Sequence, residues 1–140
     1  MKNKFLKIFF IFFFIQTNLS ANTKYFEDGL NLFTNKKFEE AKFKFEQDIV
    51  FNPKNEMSYL YLSKIFKNLE KKDLEEENLK TVILLDPQNE EAIYNLAKLK
   101  LDSSDYKKSK ELNNRLSNLC KNFCNESKKL KLEIENLLKK

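Results

Sequence analysis

From residue 23 onward the apolar residues recur at three- and four-residue intervals, and short polar breaks interrupt them. That spacing lays one apolar stripe along each of a series of amphipathic helices. It predicts helices over 23–34, 38–51, 56–69, 72–85, 90–102, 105–119 and 126–138. The breaks fall at 35–37, 52–55, 70–71, 86–89 and 103–104, and links this short imply antiparallel neighbours. Pro53 and Pro87 each stop a helix, because the proline ring cannot follow the preceding helical turn. Asn55 and Asn89 then stand where they would cap the next helix. The last stripe is Leu130, Ile134, Leu137 and Leu138. It is expected to bury against Leu112, Leu116 and Leu119, since the end of a stacked array needs a polar-faced cover. Recruitment of a second copy is the alternative use of that stripe.

The helices repeat. Phe45-x-x-x-Ile49-x-Phe51-Asn52-Pro53-x-Asn55 has the same frame as Leu79-x-x-x-Ile83-x-Leu85-Asp86-Pro87-x-Asn89, 34 residues on. Tyr25, Tyr59 and Ile93 hold one register, and the small residues Gly29, Ser63 and Ala97 another. Phe38 and Tyr106 open second helices, where the middle repeat has Lys72. Ala41 and Ser109 give a further small position that Glu75 breaks, and Leu74 is expected to take the buried role there. In these residues the chain resembles the tetratricopeptide family, whose period is 34. The resemblance implies an all-α, right-handed array of three helix pairs over 22–55, 56–89 and a degenerate 90–123. A capping helix over 124–140 would follow.

Composition changes this picture mainly at the beginning. Lys2, Lys4 and Lys7 precede an unbroken apolar run over 8–15 and a small polar stretch to Ala21. That order is the layout of a secretory signal peptide over 1–21, and the run is far short of the roughly 20 residues that span a bilayer. Export to the periplasm or beyond is the expectation, and an uncleaved anchor is the alternative. Without the segment, Lys+Arg falls from 26 to 23 against 21 acidic residues, so net charge drops from +5 to +2. The remaining charges alternate in sign along the helices, unlike the clustered basic patch of a nucleic-acid binder.

Cys120 and Cys124 are the chain's two cysteines. Behind a signal peptide they meet an oxidising compartment, where such a pair tends to become a disulfide. Two cysteines and no histidine cannot supply the four ligands of an ordinary zinc site. The third repeat lacks the proline of the first two and has Lys121 in its place, between the cysteines. A bond there would fix the turn that proline fixes elsewhere. Its position resembles that of a cysteine pair before the last helix in exported bacterial members of the family.

No catalytic constellation is visible. The chain has no histidine to act as a base near neutral pH, and one glycine cannot build a phosphate loop. Neither catalysis nor a cofactor is expected. What the resemblance implies is a surface for protein partners, lined by the first helix of each pair. By position that face presents Phe26, Leu30 and Phe33, then Met57, Leu60, Lys64 and Lys67, then Tyr94, Lys98 and Leu101. A helix or extended segment with apolar and acidic character would fit it. Adaptor or assembly-factor work in an envelope complex is the expectation, and self-association or an auxiliary subunit role are the alternatives.

Overall fold

A computed structural model describes residues 23–139, so the expected signal peptide over 1–21 lies outside the described residues. Within them are seven helices: α1 (Lys24–Thr34), α2 (Phe38–Phe51), α3 (Glu56–Asn68), α4 (Lys72–Leu85), α5 (Glu90–Asp102), α6 (Tyr106–Leu119) and α7 (Cys124–Leu138). Polar side chains fix where four of them begin. The side-chain oxygens of Thr23, Asn55, Asn89 and Asp105 accept from the backbone N–H groups of Phe26, Met57, Ala92 and Lys108, at 3.0 to 3.3 Å. Asp105 is therefore a cap and not the first helical residue. Helix α7 starts two residues earlier than the apolar stripe alone predicts.

Helices pair as α1–α2, α3–α4 and α5–α6, each pair packs on the next, and α7 closes against α6 and α5. The first helices and α7 stand side by side in one row. Phe33 of α1 meets Tyr61 of α3 edge-on at 5.0 Å. Lys64 of α3 reaches Glu91 of α5 at 2.8 Å, and Lys98 of α5 reaches Glu133 of α7 at 2.9 Å. The core has two parts. Phe26, Ala41, Phe45, Leu62, Ile65 and Phe66 fill the first. Leu79, Val82, Ile93, Leu96, Leu112, Leu116, Leu130 and Ile134 fill most of the second. Of the predicted α7 stripe, Leu130 and Ile134 are thus buried and Leu137 packs against them, while Leu138, in the last turn, is exposed.

Within a pair the helices cross at small residues. A Cβ on Gly29 would lie 2.8 Å from Cε1 of Phe45, a fully buried ring with no room to yield. Ser63, Ala97, Ala41 and Ser109 are likewise buried, and the Ser109 hydroxyl donates to the Ala97 carbonyl at 2.8 Å. The middle pair corrects one expectation. Leu74 is exposed and Glu75 is buried, because Glu75 holds the register of Ala41 and Ser109 and the helix cannot turn it outward without losing Leu79 and Val82 from the core.

The turn inside each pair also repeats. Lys36, Glu70 and Ser104 have φ of 59°, 57° and 61°, in the left-handed region, although none is glycine. Behind each, the next residue's N–H reaches back to the carbonyls of Leu32, Phe66 and Lys100 at 2.8 to 2.9 Å, as in a Schellman ending. Glycine meets no steric penalty in that region. Glu70→Gly is therefore expected to raise unfolding free energy by about 0.5–1 kcal/mol, read from the urea midpoint at constant m-value. A loss of stability would contradict this account of the turn.

Candidate functional site

The row made by α1, α3, α5 and α7 gives the chain one continuous face, and its chemistry changes along its length. At the α1–α3 end it is aromatic. Tyr61 is the hub: it stacks on Phe45 at 5.2 Å, meets Phe26 and Phe33 edge-on at 6.1 and 5.0 Å, and carries the Lys64 ammonium 4.8 Å over its ring. Leu30, Phe33, Met57 and Tyr61 remain half-exposed around it. Further along, the face is ionic, through Lys64–Glu91 and Lys98–Glu133.

The sequence-predicted residues divide accordingly. Phe26, Leu60 and Leu101 are 4, 2 and 4% exposed, so they are core. Phe26 turns inward onto Phe45, while Leu60 and Leu101 join the second core cluster. Leu30, Phe33, Met57 and Tyr94 keep part of their surface, and Lys67 is fully outside. Lys64 and Lys98 lie on the face already paired with carboxylates of the same chain. Tyr61, Glu91 and Glu133 are contributors that position-by-position transfer from the family did not name. The charge pattern offers a signal for one of them. Glu91 is the only one of the three set in an acidic first turn, where a carboxylate is favoured at the helix N-terminus.

Two further groups set the edges of this face. Cys120 and Cys124 are joined by a disulfide with Cα atoms 5.2 Å apart. The bonded turn aims three successive N–H groups, from Lys121, Asn122 and Phe123, at the carboxylate of Glu90 at 2.8 to 2.9 Å. The Phe123 bond, with help from the other two, holds the Glu90 carboxyl below the usual glutamate range. Phe123 also packs on Tyr94 at 5.6 Å, so this turn supports the last aromatic of the face. At the opposite end of the first helices, Glu75 lines a cleft of about 430 Å³ with Lys67, Glu70, Lys72, Leu99 and Asp102. Burial pushes the Glu75 carboxyl above its ordinary value. Lys67 opposes that shift and Asp102 adds to it.

No family model matches the sequence, and no curated protein does. Solved structures do. The TPR2B domain of yeast Sti1, determined as a pHsp70 complex, has a TM-score of 0.74 at 14% identity, covering 82% of this chain and 99% of that one. The type III secretion chaperone SycD of Yersinia enterocolitica, with a peptide of the translocator YopD, has 0.73 at 16% identity, covering 84% and 93%. The TPR domain of Arabidopsis OM64 has 0.71 at 17% identity, covering 80% and 92%. The fold is thus a tetratricopeptide array of three helix pairs with a capping helix.

The Glu75 carboxyl binds its proton more tightly folded than unfolded. Between the ordinary value of about 4.3 and the raised one, the folded state holds more protons, so stability falls as pH rises through that window. Glu75→Gln is expected to remove this slope and to raise stability at neutral pH. Parallel pH–stability curves for the two proteins would refute the assignment.

At the other turn, removing the five-residue disulfide loop with Cys120→Ser and Cys124→Ser should cost about 2 kcal/mol. Glu90→Ala added to that change should cost less than it does in the parent, because the same three N–H groups are involved. Strict additivity in a double-mutant cycle would show that the disulfide does not organise this turn.

Proposed function

We propose that the chain is an exported protein-interaction module that holds a helix or extended segment of an envelope protein on the face formed by its first helices. The observation that carries this reading is the half-exposed cluster of Leu30, Phe33, Met57 and Tyr61 on one side of a tetratricopeptide array. Two similar folds, Sti1 and SycD, were solved as complexes, with pHsp70 and with a YopD peptide. Aromatic and aliphatic groups held rigidly by their neighbours give contact area at low entropic cost, so this end supplies most of the affinity. An apolar stretch of the partner lies here.

The ionic end sets orientation. A partner carboxylate there must share Lys64 with Glu91 or Lys98 with Glu133, so acidic groups steer encounter more than they strengthen the complex. Lys67 is the lysine of the face that makes no ion pair among the described residues. The role is that of an adaptor or assembly factor without turnover. The signal-peptide layout of residues 1–21 and the cysteine pair support an oxidising, extracytoplasmic setting. Self-association is the second reading, favoured by Leu132 and Leu138, which α7 leaves exposed.

Photo-crosslinking amino acids at Met57 and Tyr94 in the native cell are expected to capture the same envelope protein, with none captured from Glu77 on the other layer. Phe33→Glu should abolish capture while leaving the helical circular dichroism intact. Capture that survives Phe33→Glu, or that comes equally from position 77, would place the site elsewhere.

A further inference from the structure

At its turn end the middle helix pair differs from the other two at three matching positions. In the first pair Phe33 and Phe38 close this end, their rings edge-on at 5.5 Å, and Ala41 is buried in the same cluster. In the third pair the same positions are Leu101 and Tyr106, both packed in the second core cluster, and the buried Ser109. In the middle pair, 34 residues from each, they are Lys67, Lys72 and Glu75. No apolar side chain closes the end there. A cleft of about 430 Å³ remains, with Leu99 as its apolar wall and Glu70 and Asp102 beside the lysines.

Glu75 lines this cleft and is only 5% exposed. The next residue, Glu76, holds Lys80 and Lys100 at 2.7 and 2.6 Å, whereas Glu75 accepts no hydrogen bond and makes no ion pair among the described residues. Lys67, Lys72, Glu70 and Asp102 are exposed and balance one another in sign at the rim. The buried carboxylate therefore decides the sign of what the cleft takes. A carboxylate buried without donors is costly, and burial already pushes this one above its ordinary range. Ala41 and Ser109 show that a small residue packs in this register without that cost. A position that breaks the rule of its own repeat at the expense of stability is where function is to be sought.

We propose that this cleft binds an ammonium or guanidinium group carried on an alkyl chain, with its N–H donors on the Glu75 carboxylate and its stem along Leu99. Such a cation supplies the donors that the chain withholds from Glu75, in charge-assisted hydrogen bonds of the stronger kind. The group comes from the basic side chain of a bound segment or from a free amine, which present the same chemistry. The proposal is independent of what the face of first helices binds.

The full chain would be titrated with a capped Gly-Arg-Gly peptide, with agmatine, and with the capped peptide carrying citrulline, an uncharged isostere, in place of arginine. Amide NMR shifts over 67–75 and 99–102 give the readout. Saturable shifts are expected with the arginine peptide and with agmatine, and none with the citrulline peptide. Glu75→Gln is expected to weaken binding about tenfold or more without lowering stability, a combination that a purely structural residue would not give. Lys72→Phe, which restores the ring of the first pair, is expected to block the cleft with Glu75 still present. Tighter binding of the peptide than of agmatine would support a basic side chain as the source, and the reverse a free amine. An equal response to the citrulline peptide, or binding undiminished in either variant, would overturn the proposal, as would the lack of a saturable shift from both cations.

Discussion

Everything in this chain depends on how closely the two helices of a pair approach. The approach is set where Gly29, Ser63 and Ala97 leave space on the first helix and Ala41 and Ser109 leave it on the second. At Gly29 the ring of Phe45 already occupies the place of a Cβ. Close packing of this kind wins dispersion contacts over the whole crossing, and it dictates the turn. To bring the second helix back at that distance the chain must enter the left-handed region once per repeat, at Lys36, Glu70 and Ser104. The 34-residue period is therefore a period of backbone geometry first and of side chains second.

That order explains what could be read from the sequence. Helix limits were legible because Pro53, Pro87, Asn55 and Asn89 act locally, through a fixed φ and a capping oxygen. The buried stripe of α7 was legible because Leu130 and Ile134 obey a helical period. The left-handed turns were not, since Lys, Glu and Ser carry no glycine signature. Glu75 was misread for another reason. Local polarity argued for Leu74 inside, but the register of Ala41 and Ser109 is fixed by the crossing and overrides the preference of one residue. The face was half legible. Family position identified which helices line it, yet Phe26, Leu60 and Leu101 turn into the core, and the side-chain pairing of Lys64 with Glu91 requires knowing that α3 and α5 are neighbours.

The ion pairs along the row alter how the face should be understood. A lysine counted from sequence is a free charge. A lysine 2.8 Å from a carboxylate of its own chain is a charge already largely compensated, and at partial exposure such a pair contributes only about 0–1 kcal/mol. Lys64–Glu91 and Lys98–Glu133 thus align neighbouring helices more than they stabilise them. They leave the aromatic end around Tyr61 as the part of the face with unspent surface.

The two ends of the array reach the same result by different means. At the first junction an apolar register, occupied by Val82 one repeat later, holds Asp48 instead, and its carboxylate gathers Thr23, Asn55 and Ser58. A buried carboxylate in this position is tolerable because three side-chain donors satisfy its oxygens. At the last junction proline is absent, and Glu90 with the Cys120–Cys124 turn supplies the constraint. Both carboxylates lie on the edge where first helices begin. That edge is therefore tied together by side-chain hydrogen bonds at both ends of the array, and Val50, Phe51 and Leu84 stand exposed beside it. Apolar groups on a rigid mount lose little conformational freedom when they are covered, so the exposed edge is prepared for contact in a way that the same residues on a mobile loop would not be.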